Sequence, residues 1–190
     1  MATGRLEAFT DGVVAIIITI MVLELRVPEG HDWASLKTVA PVLGAYVLAF
    51  INVGLYWANH HHMLHAADRV NGRALWANLV LLFWLSLVPF VICWIDEAGV
   101  TAAPVAAYGV VLSLAAVSYF WLQWSLVACN GRDSRLARAI GRDRKGKLSL
   151  ALYLLAVPLA FVTAWISILL YLTVSALWLI PDRRIEPVRS

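Results

Sequence analysis

The sequence predicts an all-α, polytopic membrane protein, a single domain over residues 1–190 with six transmembrane helices and both termini cytoplasmic. Three observations lead there. The chain is 62% hydrophobic and 14% charged, where a soluble domain has about a quarter of its residues charged. Its apolar residues fall in long runs, and a run of about 20 is what a helix needs to cross a bilayer. Nine of the 190 residues are tryptophan, a side chain enriched at membrane–water interfaces.

The first helix is predicted over about 5–26. It opens with Arg5, Glu7 and Asp11, and then Gly12 to Leu23 carry no charge, with Thr19 the one polar side chain in the run. A secretory signal is a poor reading: the charged start contains acids and no small-residue cleavage site follows. Leu23-Glu24-Leu25-Arg26-Val27-Pro28 reads as the end of a retained helix, Glu24 and Arg26 marking the outer water boundary.

Further helices are predicted over about 36–66, 73–95 and 102–128. The apolar region Leu148 to Ile180 is 33 residues long, too long for one ordinary span and short for two. Pro158 lies inside it and Thr163-Ala164-Trp165 offers a turn, so it is read as two helices, about 147–163 and 165–181.

Charge asymmetry supports the count of six. With the N-terminus inside, the cytoplasmic segments hold Arg5, Arg69 and Arg73, seven basic residues of the loop 129–147, and Arg183, Arg184 and Arg189 of the tail. That is 13 of 15 basic residues, leaving Arg26 and Lys37 outside. Five spans would export the arginine-rich tail, against the positive-inside tendency. The net charge of +3 thus has a topological explanation and implies no nucleic-acid partner. The loop RDSRLARAIGRDRKGK sets topology and lies within reach of lipid headgroups. Cys93 and Cys129 fall near opposite membrane faces, which no disulfide spans.

Ionisable groups in membrane helices are costly and need partners or water. Asp11 lies six residues beyond Arg5, about 9 Å along a helix. The second helix descends to bring Asn59, His60, His61 and His62 to that level, and the third brings Asn78. Arg5, Asp11, one of the histidines and Asn78 are therefore expected to form a hydrogen-bonded belt locking the first helix to the second and third. Asn59 to His62 also read simply as solvated groups at a helix end. His61 and His65 stand at i, i+4, a spacing that binds zinc, but the sequence shows no third ligand, so no metal site is expected. No second histidine in another span suggests a haem, and no cofactor is expected. No G-x-S-x-G, H-E-x-x-H or phosphate-binding glycine loop is present, so an enzyme is not the reading.

Helical neighbours recur at three and four residues, so Gly12, Ile16, Thr19 or Ile20, and Leu23 share one stripe. The bland reading is a lipid-facing or core helix. Against it stand the charges at the inner end and a density of β-branched residues, stiff at χ1 and suited to a rigid wall.

R-L-E-A-F-T-D, residues 5–11, resembles the R-x-x-x-F-S-D signature opening the first helix of the transmembrane protein 175 family of endosomal and lysosomal potassium channels. Thr10 replaces the serine and keeps the hydroxyl. W-A-N-H-H at the end of the second helix and the asparagine, leucines and closing Pro-Phe of the third are also similar, so the likeness covers residues 5–95 well. Asn71 stands where aspartate is common. The chain is identified as a prokaryotic, single-repeat member. The resemblance implies a potassium-selective or potassium-preferring channel in the cell membrane, a homotetramer whose central pore is lined by the first helix of each subunit. No T-V-G-Y-G filter is present. It further implies a hydrophobic constriction at Ile16, further rings at Ile20 and Leu23, and a selectivity-influencing position at Thr19. Ala15 stands where some members have serine, and Arg5, Phe9 and Asp11 serve assembly and helix packing, with K+ the permeant partner.

Two other functions compete. A proton-coupled secondary transporter would use the belt around Asp11 and His60, but calls for polar groups at mid-membrane and often inverted repeats; no internal repeat is visible. A non-conducting scaffold or sensor needs only the helices.

Overall fold

The computed structural model describes residues 3–23, 25, 27–141 and 143–179. Glu24, Arg26, Arg142 and the tail with Arg183, Arg184 and Arg189 lie outside the described residues. Every described element is helical: α1 (Gly4–Leu23), α2 (Leu36–His65), α3 (Gly72–Ser86), α4 (Val88–Ala98), α5 (Ala102–Asn130), α6 (Arg135–Ile140), α7 (Arg144–Leu159) and α8 (Ala164–Leu179).

The third predicted helix, 73–95, is two segments in one rod, α3 and α4, parted at Leu87. The cause is Pro89, which has no N–H and whose ring collides with the carbonyl four residues back. The rod resumes with Val91 N donating to Leu87 O at 3.2 Å. α6 was not anticipated. It lies inside the basic loop, capped by Ser134 Oγ, which accepts from Ala137 N at 3.1 Å.

α1, α2, the α3–α4 rod (Gly72–Ala98) and α5 are each long and apolar enough to cross a membrane. The paired helices expected over 147–163 and 165–181 are α7 and α8, of 16 residues each. At 1.5 Å per residue each is about 24 Å long, shorter than the roughly 30 Å hydrocarbon core. α7 ends one residue after Pro158, and Leu159 O accepts from both Val162 N and Thr163 N, closing the turn into α8.

Side-chain pairs give relative direction. Asp11 meets Trp57 and Glu7 meets His61, so α1 and α2 run antiparallel. Ser149 pairs with Trp178 and Ala156 with Ser167, so α7 and α8 do too. α5 occupies the middle: 61% of its most apolar stretch is buried, against 28% in α1 and in α2. A helix apolar all round belongs in such a core. Gly109 allows the close approach of α8 there, since a Cβ would stand 2.2 Å from the Tyr171 hydroxyl, which donates to Val105 O at 3.0 Å.

Two asparagines fix the ends of the rods on one side. Asn71 caps α3 by accepting from Ala74 N at 3.0 Å, a role that needs an acceptor and no charge. Asn130, at the end of α5, accepts from Asp68 N and Arg69 N and donates to Arg69 O, each at 2.9 Å, clasping the α2–α3 turn. Cys93 lies in α4 and Cys129 in the last turn of α5, and no disulfide joins them.

Candidate functional site

α1 has two unlike faces. Leu6, Thr10, Val14, Ile17 and Met21 are buried against α2, α3 and α4. The opposite face is uncovered: Arg5, Phe9, Gly12, Ile16, Thr19, Ile20 and Leu23 recur at helical spacing and all are exposed. Ile16 is 58% exposed, Ile20 41% and Leu23 79%. Ala15 flanks Ile16 on the same face. Thr19 turns its hydroxyl back to its own helix, donating to Ile16 O at 2.9 Å. Its oxygen therefore keeps acceptor capacity, the one polar atom offered by side chains between Gly12 and Leu23.

Behind this face stands a buried polar chain. His60 Nε2 and Asn78 Oδ1 are 2.7 Å apart, and Asn78 Nδ2 donates to Thr10 Oγ1 at 3.0 Å. All three residues are buried. The His60 imidazole and the Asn78 amide share this hydrogen bond. The chain thus joins α1, α2 and α3 in one set of bonds. Asp11 belongs to a separate contact, accepting from Trp57 Nε1 at 2.8 Å.

Of the expected belt, His60 and Asn78 meet directly, with Thr10 rather than Asp11 as the α1 member. Asp11 bonds to Trp57 instead. Arg5 is exposed on the first turn and has no side-chain hydrogen bond or ion pair among the described residues. Phe9 is 52% exposed. Both stand on the same uncovered side as Ile16.

Two groupings were missed in the sequence. Glu7 reaches His61 Nδ1 at 2.8 Å and His65 Nε2 at 3.4 Å. A third candidate donor beside His61 and His65, not visible in their i, i+4 spacing, thus comes from another helix. The second grouping is Asn52, midway along α2 and buried. It donates to the Tyr108 hydroxyl at 3.2 Å and accepts from Tyr153 and Ser175, each at 3.3 Å. Polar groups therefore exist near the middle of the rods, though all four are neutral and the other three each bond to Asn52. Nothing in the spacing announces this; a lone asparagine inside an apolar helix is the one available signal.

The family model described as endosomal/lysosomal potassium channel TMEM175 matches residues 5–89. A potassium channel of Chryseobacterium sp. (strain P1-3) is 50% identical over 186 residues, 98% of this chain and 97% of that one. The endosomal/lysosomal proton channel TMEM175 of Homo sapiens is 35% identical over 96 residues, 44% of this chain and 19% of that protein. The crystal structure of a lysosomal potassium-selective channel TMEM175 homolog from Chamaesiphon minutus superposes with a TM-score of 0.81 at 26% identity, covering 94% of this chain and 96% of that one.

Proposed function

The chain belongs to the TMEM175 family of potassium channels, and on that premise we propose that it conducts K+ passively through a central pore walled by α1 from each of four copies. The observation that carries the proposal is the two-faced α1. One side is anchored by apolar contacts and the Thr10–Asn78–His60 chain, while the stripe through Ile16, Thr19, Ile20 and Leu23 is left without cover. Lipid alone would account for an apolar face. It accounts less well for one that includes Arg5 at its end and Thr19 in its middle, each better served by water or a neighbouring copy.

In this reading Ile16 forms the narrowest ring, Ile20 and Leu23 form further rings, and Thr19 supplies the polar ring between them. A hydrophobic ring without fixed charge closes by dewetting and imposes a dehydration barrier on each ion. K+ sheds water more readily than Na+, a route to K+ preference that needs no filter of backbone carbonyls. Ala15 contributes no hydroxyl, so selectivity rests on one polar ring. Arg5, Phe9 and Asp11 serve contacts between copies.

The protein is a multi-pass membrane protein, and we place it in the cell membrane. Six rods cross, α7 and α8 as a short pair, with both ends cytoplasmic and the basic loop against lipid headgroups. The antiparallel pairings of α1 with α2 and α7 with α8 support that alternation. K+ is the partner that matters, and no cofactor, nucleic acid or enzymatic step enters. The proton-coupled transporter reading is the weaker one: the groups midway along the rods are neutral, and the family named by the relatives is one of channels.

The test is ion flux through purified protein in liposomes, with K+, Na+ and internal pH followed side by side. Valinomycin-independent K+ flux that does not saturate, altered by an Ile16 substitution, supports the channel. Flux that saturates and requires an opposing proton gradient overturns it in favour of exchange.

A further inference from the structure

We propose that Glu7, His61 and His65 form a binding site for a divalent transition metal of the zinc class, stapling the first turns of α1 to the last turns of α2. Such a site binds its ion whether or not the protein conducts.

His61 and His65 lie one turn apart on the same face of α2, with ring centroids 4.3 Å apart. Glu7 faces them from α1, and the three donor atoms, Glu7 Oε1, His61 Nδ1 and His65 Nε2, all lie within 4.8 Å of one another. A tetrahedral zinc with bonds of about 2.0–2.1 Å sets its donors about 3.3–3.4 Å apart. The Glu7–His65 separation of 3.4 Å already has that value, and the Glu7–His61 separation of 2.8 Å must open by about half an ångström. Such a change is a small rotation of a glutamate side chain that is only partly enclosed.

The chemistry of the donors agrees. Two imidazoles and one carboxylate are a set zinc uses, with water completing the shell, whereas hard cations such as Mg2+ and Ca2+ call for oxygen ligands. One carboxylate against a doubly charged ion leaves a net positive charge, which the half-exposed position lets water solvate. The surroundings also hold a ligand in place: the Trp57 indole stacks on the His61 ring at 5.8 Å and 27°, and its N–H is in turn fixed by Asp11. Outer partners of this kind orient metal-binding histidines. Without metal, the same contacts serve as a bond between Glu7 and whichever imidazole carries a proton. A bound ion replaces one shared proton with two or three coordinate bonds bridging the helices.

The experiment uses the full chain in detergent micelles, titrated with Co2+ alone and then with Zn2+, following the visible absorption of tetrahedral Co2+ and the thermal melting temperature. The expected result is one Co2+ per chain, displaced by Zn2+, with a Zn2+-dependent rise in melting temperature. Glu7→Gln and His65→Ala, both at solvent-accessible positions, are expected to weaken binding at least tenfold and abolish the rise. His62→Ala and His31→Ala should leave both unchanged. Absence of the Co2+ band at millimolar metal, or binding as strong in Glu7→Gln as in the unaltered chain, would overturn the assignment.

Discussion

The indole of Trp57 donates to the carboxylate of Asp11 at 2.8 Å, so the last charge before the apolar stretch of α1 is held by a neutral donor from α2. A carboxylate only accepts, and near a membrane it gains from any N–H that stays when water is scarce. This relationship makes Asp11 a fastening of α1 to α2, and the proposed assembly adds a second role at contacts between copies. Asp11→Ala is expected to remove the fastening and reduce the tetrameric fraction on size exclusion in detergent. Asp11→Asn, which keeps an acceptor for Trp57, should lose less. An alanine variant that elutes like the unaltered protein would separate the contact from assembly.

Asn78 is the joint of the buried chain, bonded to His60 on one side and Thr10 on the other. Hydrogen bonds between membrane helices average about 0.6 kcal/mol and reach about 1.7, whereas a buried group left unpaired costs about 1–3 kcal/mol. Asn78→Leu strands two partners, so the second effect decides and a loss of about 1–2 kcal/mol is expected. For a chain of this size that is a fall in melting temperature of about 2–8 °C. Thr10→Ser keeps the hydroxyl and should leave the melting temperature close to its original value.

Asn52 joins α2 to Tyr108 of α5, Tyr153 of α7 and Ser175 of α8. Asn52→Leu should therefore loosen α7 and α8 more than α1. The expected outcome is faster hydrogen exchange in 144–179 with exchange in α1 unchanged, measured by mass spectrometry of digested fragments. Equal acceleration throughout would mean that the cluster stabilises the chain as a whole.

These contacts show where sequence reasoning reaches and where it stops. Long apolar runs dictate membrane helices, and Pro89 carries the backbone reason for the break at Leu87. The outer stripe of α1 is legible for a similar reason: 3.6 residues per turn puts Gly12, Ile16, Thr19 and Leu23 on one side whatever lies behind them. Which histidine turns inward is not legible. His60 and His61 differ by about 100° around the helix, and only the rotation of α2 about its axis sends one to Asn78 and the other to Glu7. Asn52 hides for a different reason, since its partners lie 56, 101 and 123 residues away. α6 carries too few residues to show a period.

Thr19 is the sole polar side chain between Gly12 and Leu23 of α1; it is exposed, and its hydroxyl proton is given to Ile16 O. If the hydroxyl oxygen meets a partly dehydrated ion, Thr19→Val, nearly equal in volume, removes the acceptor without widening the pore. The K+ to Na+ flux ratio is expected to fall severalfold, and Thr19→Ser should preserve most of it. An unchanged ratio in the valine variant would relocate selectivity to dehydration at the hydrophobic rings.

Ile16 tests the pore itself. Its side chain is 58% exposed while Ile17 beside it is 3% exposed, so the two isoleucines separate a change in the wall from a change in the fold. Ile16→Asn puts a hydrogen-bonding group where a ring of branched hydrocarbon is proposed to expel water, and wetting should then lower the barrier to every cation. The expected outcome is a higher flux with a lower K+ to Na+ ratio and a melting temperature near the original, because no buried contact is lost. Ile17→Asn buries an unpaired amide against α2 to α4 and should lower the melting temperature without that selective change in flux. If both variants alter flux alike, or Ile16→Asn leaves flux and ratio as they were, the uncovered face of α1 meets lipid and the ion path runs elsewhere.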